Sequence, residues 1–469
     1  MKHAIILLGA AALTACASLP GPAPAPAIKS QSAYASAQSF AAPAGEWPAA
    51  GWWKSYGDPQ LDALIEEGLA GAPSLAIAEA RLARARSFQD SARGALFPQI
   101  SARASSSAEK QSYNYLSPAG MTPQGWNDYG RASLDFSWEL DFWGKNRAAL
   151  AAATSEAVAA EADGIQARLA LSSAVASGYA ELARLYSALD TAVAARDLRS
   201  KTADLFGKRY DNGLETLGSR RQADARRAAS EADVLALEEQ VQLQKNRLAA
   251  LVGAGPDRAL AIARPKAEFT RAFSLPATLS AGLIGRRPDL VAARLRAEAA
   301  AKRIHVQRAQ FYPNVNLSAF VGVQAFGIDM LRESGSDIGA VGPAVTLPIF
   351  NGGRLRAQLR GAEAEYAESV ANYDRALVQA LQEVADAAVS QRALGAQLER
   401  IDVAVDAARE AWRVQNNRYE GGLATYLDVL SAEDYLLSNL RTQSDLRSRS
   451  MALDVALNRA LGGGYQTNL

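Results

Sequence analysis

The chain has 469 residues, 49% of them hydrophobic but only 7% aromatic. Alanine therefore carries much of the apolar content, which favours a long helical body with close helix packing over two or three thick globular cores. With 50 Lys and Arg against 49 Asp and Glu the net charge is +1, so there is no basic field to hold nucleic acid.

The first element is Lys2 and His3 followed by the apolar run AIILLGAAALTA, the length of a signal-peptide core and too short to span a bilayer. Residues 1–15 read as a signal peptide. The run closes on Leu13-Thr14-Ala15-Cys16, and Cys16 is the only cysteine of the chain, so no internal disulfide is available to it. This ending resembles the bacterial lipobox, whose cysteine becomes the acylated first residue of the mature chain, and it implies a covalent lipid on Cys16. Residues 16–45, rich in Pro, Ala and Ser, bury little and should run extended over the surface. No later segment has about eighteen uninterrupted apolar residues, so any membrane crossing must be made by strands.

From Glu46 onward the chain says nearly everything twice. GALFPQIS at 94 to 101 is echoed by AQFYPNVNL at 309 to 317, and FWGKNR at 142 to 147 by FNGGR at 350 to 354. RYDNGLETLGS at 209 to 219 is echoed by RYEGGLATYLD at 418 to 428. Each half reads helix, strand, loop, strand, very long helix, turn, long helix. The first repeat covers 46–252, with strands over about 98–108 and 131–142 and long helices over about 143–210 and 217–252. An inter-repeat equatorial segment follows at 253–286. The second repeat covers 287–461, with strands over about 314–325 and 338–349 and long helices over about 353–417 and 424–461; residues 462–469 are a C-terminal tail.

The strands rest on alternation. Ala132, Leu134, Phe136, Trp138, Leu140 and Phe142 interleave with Ser133, Asp135, Ser137, Glu139 and Asp141, an unbroken period of two. Val315, Leu317, Ala319, Val321 and Val323 repeat the pattern against Asn316, Ser318 and Gln324, with Phe320 as an exception. Lengths of about ten to twelve residues suit tilted transmembrane strands. Four strands cannot close a barrel, and open edges in lipid leave backbone groups unpaired, so several copies must pool their strands. Periodicity alone leaves the number of copies open.

The helices are unusually long. From Leu355 to Trp412 the apolar stripe advances by about 3.56 residues per step, between the coiled-coil and straight-helix values, and only Gln391 breaks it. No proline interrupts 353–417 or 145–210, so each helix spans on the order of 100 Å.

Four motifs taken together resemble TolC-type outer-membrane efflux proteins: WWKSYGDPQL at 52 to 61, RPDL at 287 to 290, FYP at 311 to 313 and LPIFNGGR at 347 to 354. With Cys16 they are similar to the lipoprotein branch of the OprM and NodT type, which serves resistance-nodulation-division (RND) pumps. The resemblance runs from about Glu46 to Gly464. It implies an α+β membrane protein: a homotrimer whose four strands per chain make a transmembrane β-barrel and whose helices make a long α-helical barrel. The expected place is the outer membrane, lipid-anchored and reaching into the periplasm. The implied partners are sister chains, outer-membrane lipid, a periplasmic adaptor and an inner-membrane RND pump.

The resemblance also implies that the two helix-turn-helix ends hold a periplasmic gate. By motif match Asp428 stands at a family acidic position and Tyr419 at a family tyrosine, with Arg418 and Glu420 beside them. Ser431 falls where a second acid is common, Ala424 where TolC has an arginine, and Ser219 where some relatives have an aspartate, so the family lock is not copied whole. The alternative for Asp428 is an acid at a helix N-terminus.

No catalytic, cofactor or metal constellation is expected. His305 stands on an amphipathic helix among Lys302, Arg303 and Arg308, and the one cysteine rules out a cysteine metal site. The leading function is the passive outer-membrane duct of a tripartite efflux system for drugs or other small molecules. The alternative is the duct of a type I protein-secretion system; a non-pore coiled-coil lipoprotein is a third, more distant reading.

Overall fold

A computed structural model describes residues 26–30, 33–36, 38–114, 119–266, 274–276 and 279–466. The expected signal peptide and Cys16 lie outside the described residues. In chain order the elements are β1 (Ala44–Gly45), α1 (Pro59–Gly71), α2 (Pro73–Gly94), β2 (Gln99–Glu109), β3 (Asn127–Leu140), α3 (Lys145–Asp211) and α4 (Leu217–Leu251). After β4 (Leu275–Pro276) and α5 (Leu279–Arg286) come α6 (Pro288–Ala309), β5 (Asn314–Phe326), β6 (Asp337–Thr346), α7 (Arg354–Glu420) and α8 (Tyr426–Ala460). The long helices of the two repeats match to the residue: α3 and α7 each have 67 residues, and α4 and α8 each have 35.

The compact units do not follow the repeats. Among the described residues, one unit comprises Leu82–Ala160 and Ala293–Tyr373, with 26–28; the other comprises Lys29–Arg81, Glu161–Ala292 and the described residues from Asp374 onward. Each draws on both halves of the sequence.

The first unit holds one antiparallel sheet of order β2-β3-β5-β6, in which β3 and β5 join the two repeats at its centre. The register sets apolar residues opposite apolar ones: Ile100 against Phe136, Leu134 against Val321, Trp138 against Leu317, Ala319 against Val341 and Val315 against Val345. Because side chains alternate, these pairs form one continuous apolar face. It is open: Leu134 is 54% exposed, Val321 62% and Val341 79%. On the opposite face stand Arg103, Ser133, Asp135, Ser137 and Glu139. Phe320, the exception in the alternation, lies on this polar face under the Arg131 guanidinium, 5.2 Å from the ring centre. The outer edges of β2 and β6 have no strand beside them among the described residues.

The first-repeat strand starts earlier and ends sooner than its alternation suggested. It begins at Asn127, so the loop before it is shorter, and stops at Leu140. Asp141 leaves the sheet to accept the backbone N–H groups of Asn146 (3.1 Å) and Arg147 (2.8 Å), satisfying donors at the start of α3. Phe142 is exposed rather than the last residue of the strand face. In the second repeat β6 ends at Thr346, short of the expected 349, ahead of Pro348. Where the strands meet the helices, the Trp143 and Tyr312 rings stack at 4.7 Å, the Trp143 indole donates to the Pro313 carbonyl, and Phe311 is buried with Leu355 and Leu359. The FYP and FWGK motifs thus tie one repeat to the other.

The core of the second unit gathers on the WWKSYGDPQL motif. Trp52 and Tyr56 are buried against α1, α3, α4 and α8, and the Tyr56 hydroxyl donates to Asp454 at 2.7 Å. Asp58 caps α1 and accepts from the Tyr179 hydroxyl at 2.6 Å and the Lys266 N–H at 2.9 Å. The predicted stripe of α7 is its buried side, from Val384, Ala388 and Leu394 to Val405 and Ala408. The described part of the proline-rich leader is fastened to α7: Lys29 N–H donates to Asp374, and Arg392 donates to the Ser39 carbonyl. Gly462 and Gly464 close α8 with φ of +89° and +86°, where a Cβ would strike the backbone of Arg286 and Ala49. Among the described residues no helix is long and apolar enough to cross a membrane.

The RPDL motif supplies a buried cation. Arg287 is 6% exposed and donates to Asp289 at 2.6 and 3.0 Å, to Glu383 on α7 at 2.7 Å and to the Ala460 carbonyl on α8 at 3.2 Å. It therefore ties the start of α6 to both long helices of its repeat. Arg287→Met leaves two half-exposed carboxylates unpaired and should destabilise the second unit by about 2 kcal/mol, less than the cost of breaking a fully buried pair. A lowered midpoint of denaturant unfolding, followed by helical circular dichroism, checks this.

Candidate functional site

The α3–α4 and α7–α8 turns are built by the same rules. Gly213 (φ +71°) and Gly422 (φ +76°) take the left-handed conformation that ends a helix. The N–H of Leu214 then bonds the Arg209 carbonyl at 2.8 Å, and that of Leu423 the Arg418 carbonyl at 2.7 Å. Thr216 caps α4 and Thr425 caps α8. The repeated RY-x-x-G-L-x-T punctuation is a glycine stop followed by a threonine start.

The turns differ in what they add. Asp428 completes a capping box: its Oδ2 accepts the Thr425 N–H at 2.8 Å and the Thr425 hydroxyl at 2.7 Å. Those two bonds, the hydroxyl first, hold the exposed carboxyl below the usual aspartate range, with Arg418 adding a weaker pull. Asp428 is therefore a fixed, solvent-facing negative charge. Ser219, its counterpart in the first repeat, offers only a hydroxyl to Thr216.

Tyr419 is placed differently. It is 3% exposed, stacks on Phe206 at 5.2 Å and carries the Arg209 guanidinium 4.7 Å above its ring. Its hydroxyl donates to Glu215 at 2.6 Å, so the turn of the second repeat is latched to the turn of the first. Burial, reinforced by the Glu215 carboxylate, pushes the phenol well above its ordinary value, so it stays a donor. Phe206, Ala223, Tyr419, Tyr426, Val429 and Leu430 form one buried cluster beneath the turns, drawn from all four helices. Arg418 donates to the Leu423 carbonyl at 3.3 Å within its own turn, and Glu420 accepts from Asn416 on the same helix. The structure thus brings Tyr419 into the inter-repeat latch, keeps Arg418 and Glu420 local, and sets Asp428 at the cap of α8.

Sequence reasoning missed Glu215, Arg209 and Phe206. A signal existed: Glu215 aligns with Ala424 across the 209-residue offset, making it the one acid that distinguishes the first turn's L-x-T from the second's. Among the described residues no cluster of acidic, histidine or cysteine side chains could hold a metal.

The comparisons with known proteins agree on one assignment. The family described as outer membrane efflux protein matches residues 64–254 and 279–463. The crystal structure of the Vibrio cholerae outer membrane protein VceC superposes with a TM-score of 0.85 at 52% identity, over 90% of this chain and 100% of VceC. The multidrug resistance outer membrane protein MdtP of Shigella flexneri is 32% identical over 427 residues, 90% of this chain and 87% of MdtP. The fusaric acid resistance protein FusA of Burkholderia cepacia is 39% identical over 325 residues, 68% of this chain but only 60% of FusA. The chain belongs to the outer membrane efflux protein family and has the helical and β domains of its TolC-type channels. It is an outer-membrane efflux channel reaching into the periplasm, and the family is one of ducts rather than of enzymes.

The latch has a measurable strength. In a double-mutant cycle of Tyr419→Phe and Glu215→Ala, the coupling free energy from denaturant unfolding should be about 1.5 to 3 kcal/mol, the range for a hydrogen bond to a charged group. Additive effects would show that the two side chains do not interact.

Proposed function

We propose that the chain assembles as a homotrimer that pools its strands into a twelve-stranded barrel and serves as the passive exit duct for drugs or other small toxic molecules. The open sheet carries this reading: an exposed apolar face bounded by two unpaired edges suits lipid only when sister chains complete the hydrogen bonding. The names of MdtP and FusA, which speak of multidrug and fusaric acid resistance, favour small toxic molecules as cargo. The duct has no energy source of its own, so a periplasmic adaptor and an inner-membrane RND-type pump dock at the paired turns. Cys16, at the end of its lipobox-like run, carries the lipid anchor.

At the turns, threefold symmetry makes Asp428 a ring of fixed negative charge that attracts cations, and the Tyr419–Glu215 latch holds the turns together, with Arg418 and Glu420 bracing the second turn. In planar bilayers the purified protein should open single channels, and Asp428→Ala should lower their cation preference. Unchanged selectivity would remove Asp428 from the gate, and the lack of any channel would contradict the duct.

A further inference from the structure

Two turns into α8, directly beneath the aromatic cluster, Glu433 is 0% exposed. From α3, the Thr202 hydroxyl donates to Glu433 Oε2 at 3.1 Å. Arg199, also on α3, approaches with Nε 3.6 Å from Oε1, too far for a hydrogen bond, and both atoms are buried with no hydrogen-bond partner among the described residues. The guanidinium is engaged elsewhere: Arg199 Nη2 donates to Asp434 Oδ1 at 3.2 Å, and Arg226 of α4 donates to Asp434 Oδ2 at 2.8 Å. Asp434, 45% exposed, thus draws the guanidinium groups of α3 and α4 towards the surface, its single charge offsetting one of the two, and Glu433 beneath them keeps one oxygen without a hydrogen-bond donor among the described residues. The other group facing this site is Tyr426, whose ring lies 3.9 Å from that of Phe206 and whose buried hydroxyl has no hydrogen-bond partner among the described residues.

An ordinary buried ion pair would engage both carboxylate oxygens, because an uncompensated buried charge is costly. Here one oxygen is left without a donor. Burial pushes the Glu433 carboxyl above the usual glutamate range, against the opposing pulls of Thr202, Arg199 and Arg226. Tyr426 is likewise pushed up to about 12 by burial.

We propose that Glu433 is a positioning residue for the gate: in its neutral form it lets α8 pack on α3 and α4 beneath the paired turns, and loss of its proton to solvent loosens that packing. The inference rests on the reading of the turns as the gate of a channel. Because the packed state holds the carboxyl's value raised, the contribution of Glu433 to packing is complete below the ordinary glutamate value. It fades as pH rises through the raised one. Acid therefore tightens the turns, and alkali frees them.

The test is amide hydrogen exchange of the full-length assembled protein, corrected for intrinsic rates, over residues 199–210 and 426–440 from about pH 5 to about pH 8. In the unsubstituted protein the local opening equilibrium should rise with pH, by at most about tenfold per unit for one proton per chain. Glu433→Gln, which stays neutral, should remove that slope. The same slope in both proteins would overturn the proposal. Asp434→Asn takes away a neighbouring negative charge and frees Arg199 to pair with Glu433, which brings the carboxyl's value in the packed state back towards the ordinary one, so the slope should shrink or vanish; an unchanged slope also contradicts the proposal, even if Glu433→Gln fails to fold. Channel recordings on the same preparations separate the two ideas: silent bilayers count against the duct, whereas the exchange slope reports on Glu433 alone.

Discussion

The structure depends on backbone hydrogen bonds that one chain cannot complete. Two strands from each repeat make a four-stranded sheet whose side chains, with exceptions such as Phe320, sort into an apolar and a polar face, and whose β2 and β6 edges pair with no strand among the described residues. Water would satisfy those groups but not the apolar face; lipid would suit the face but not the groups. Closure with further copies resolves the conflict, and closure is the reason a chain of this composition can belong to a membrane with no helix among the described residues long and apolar enough to cross it.

The duplication acts at the other set of chain reversals as well. Two helix pairs of equal length meet there through the same glycine stop and threonine cap. Their sequence differences then make the contact directional. Glu215 in one turn receives the Tyr419 hydroxyl of the other, Asp428 completes the Thr425 capping box of α8 where Ser219 stands in α4, and Glu433 of α8 sits buried against α3. Identical backbone rules position the turns, and a handful of unlike side chains decide how firmly they hold.

Much of this was legible in the sequence. The alternation from Ala132 to Leu140 identified the central strand, the apolar stripe of α7 identified its buried side, and the repeated punctuation located both turns. The start of β3 at Asn127 was not legible, because Asn127 to Arg131 lacks alternation and is drawn into the strand by pairing with β2 and β5. Asp141 read as a strand residue because its place in the period of two hides its role at the α3 N-terminus. The Tyr419–Glu215 latch and the burial of Glu433 were invisible for a different reason. Both arise between helices 200 or so residues apart, and a glutamate among polar neighbours reads as solvated until a partner helix covers it.

Sheet closure can be tested directly by disulfide trapping. Within one chain β2 and β6 are separated by two intervening strands, three strand spacings or about 14 Å, beyond the reach of a disulfide. Cysteines placed singly on each edge, for example at Ser105 and Ala340 and at neighbouring registers with Cys16 replaced, can therefore bridge only between chains. The account predicts that at least one register yields a ladder of covalent dimers and trimers from membranes under mild oxidation. Monomer alone in every register would contradict it.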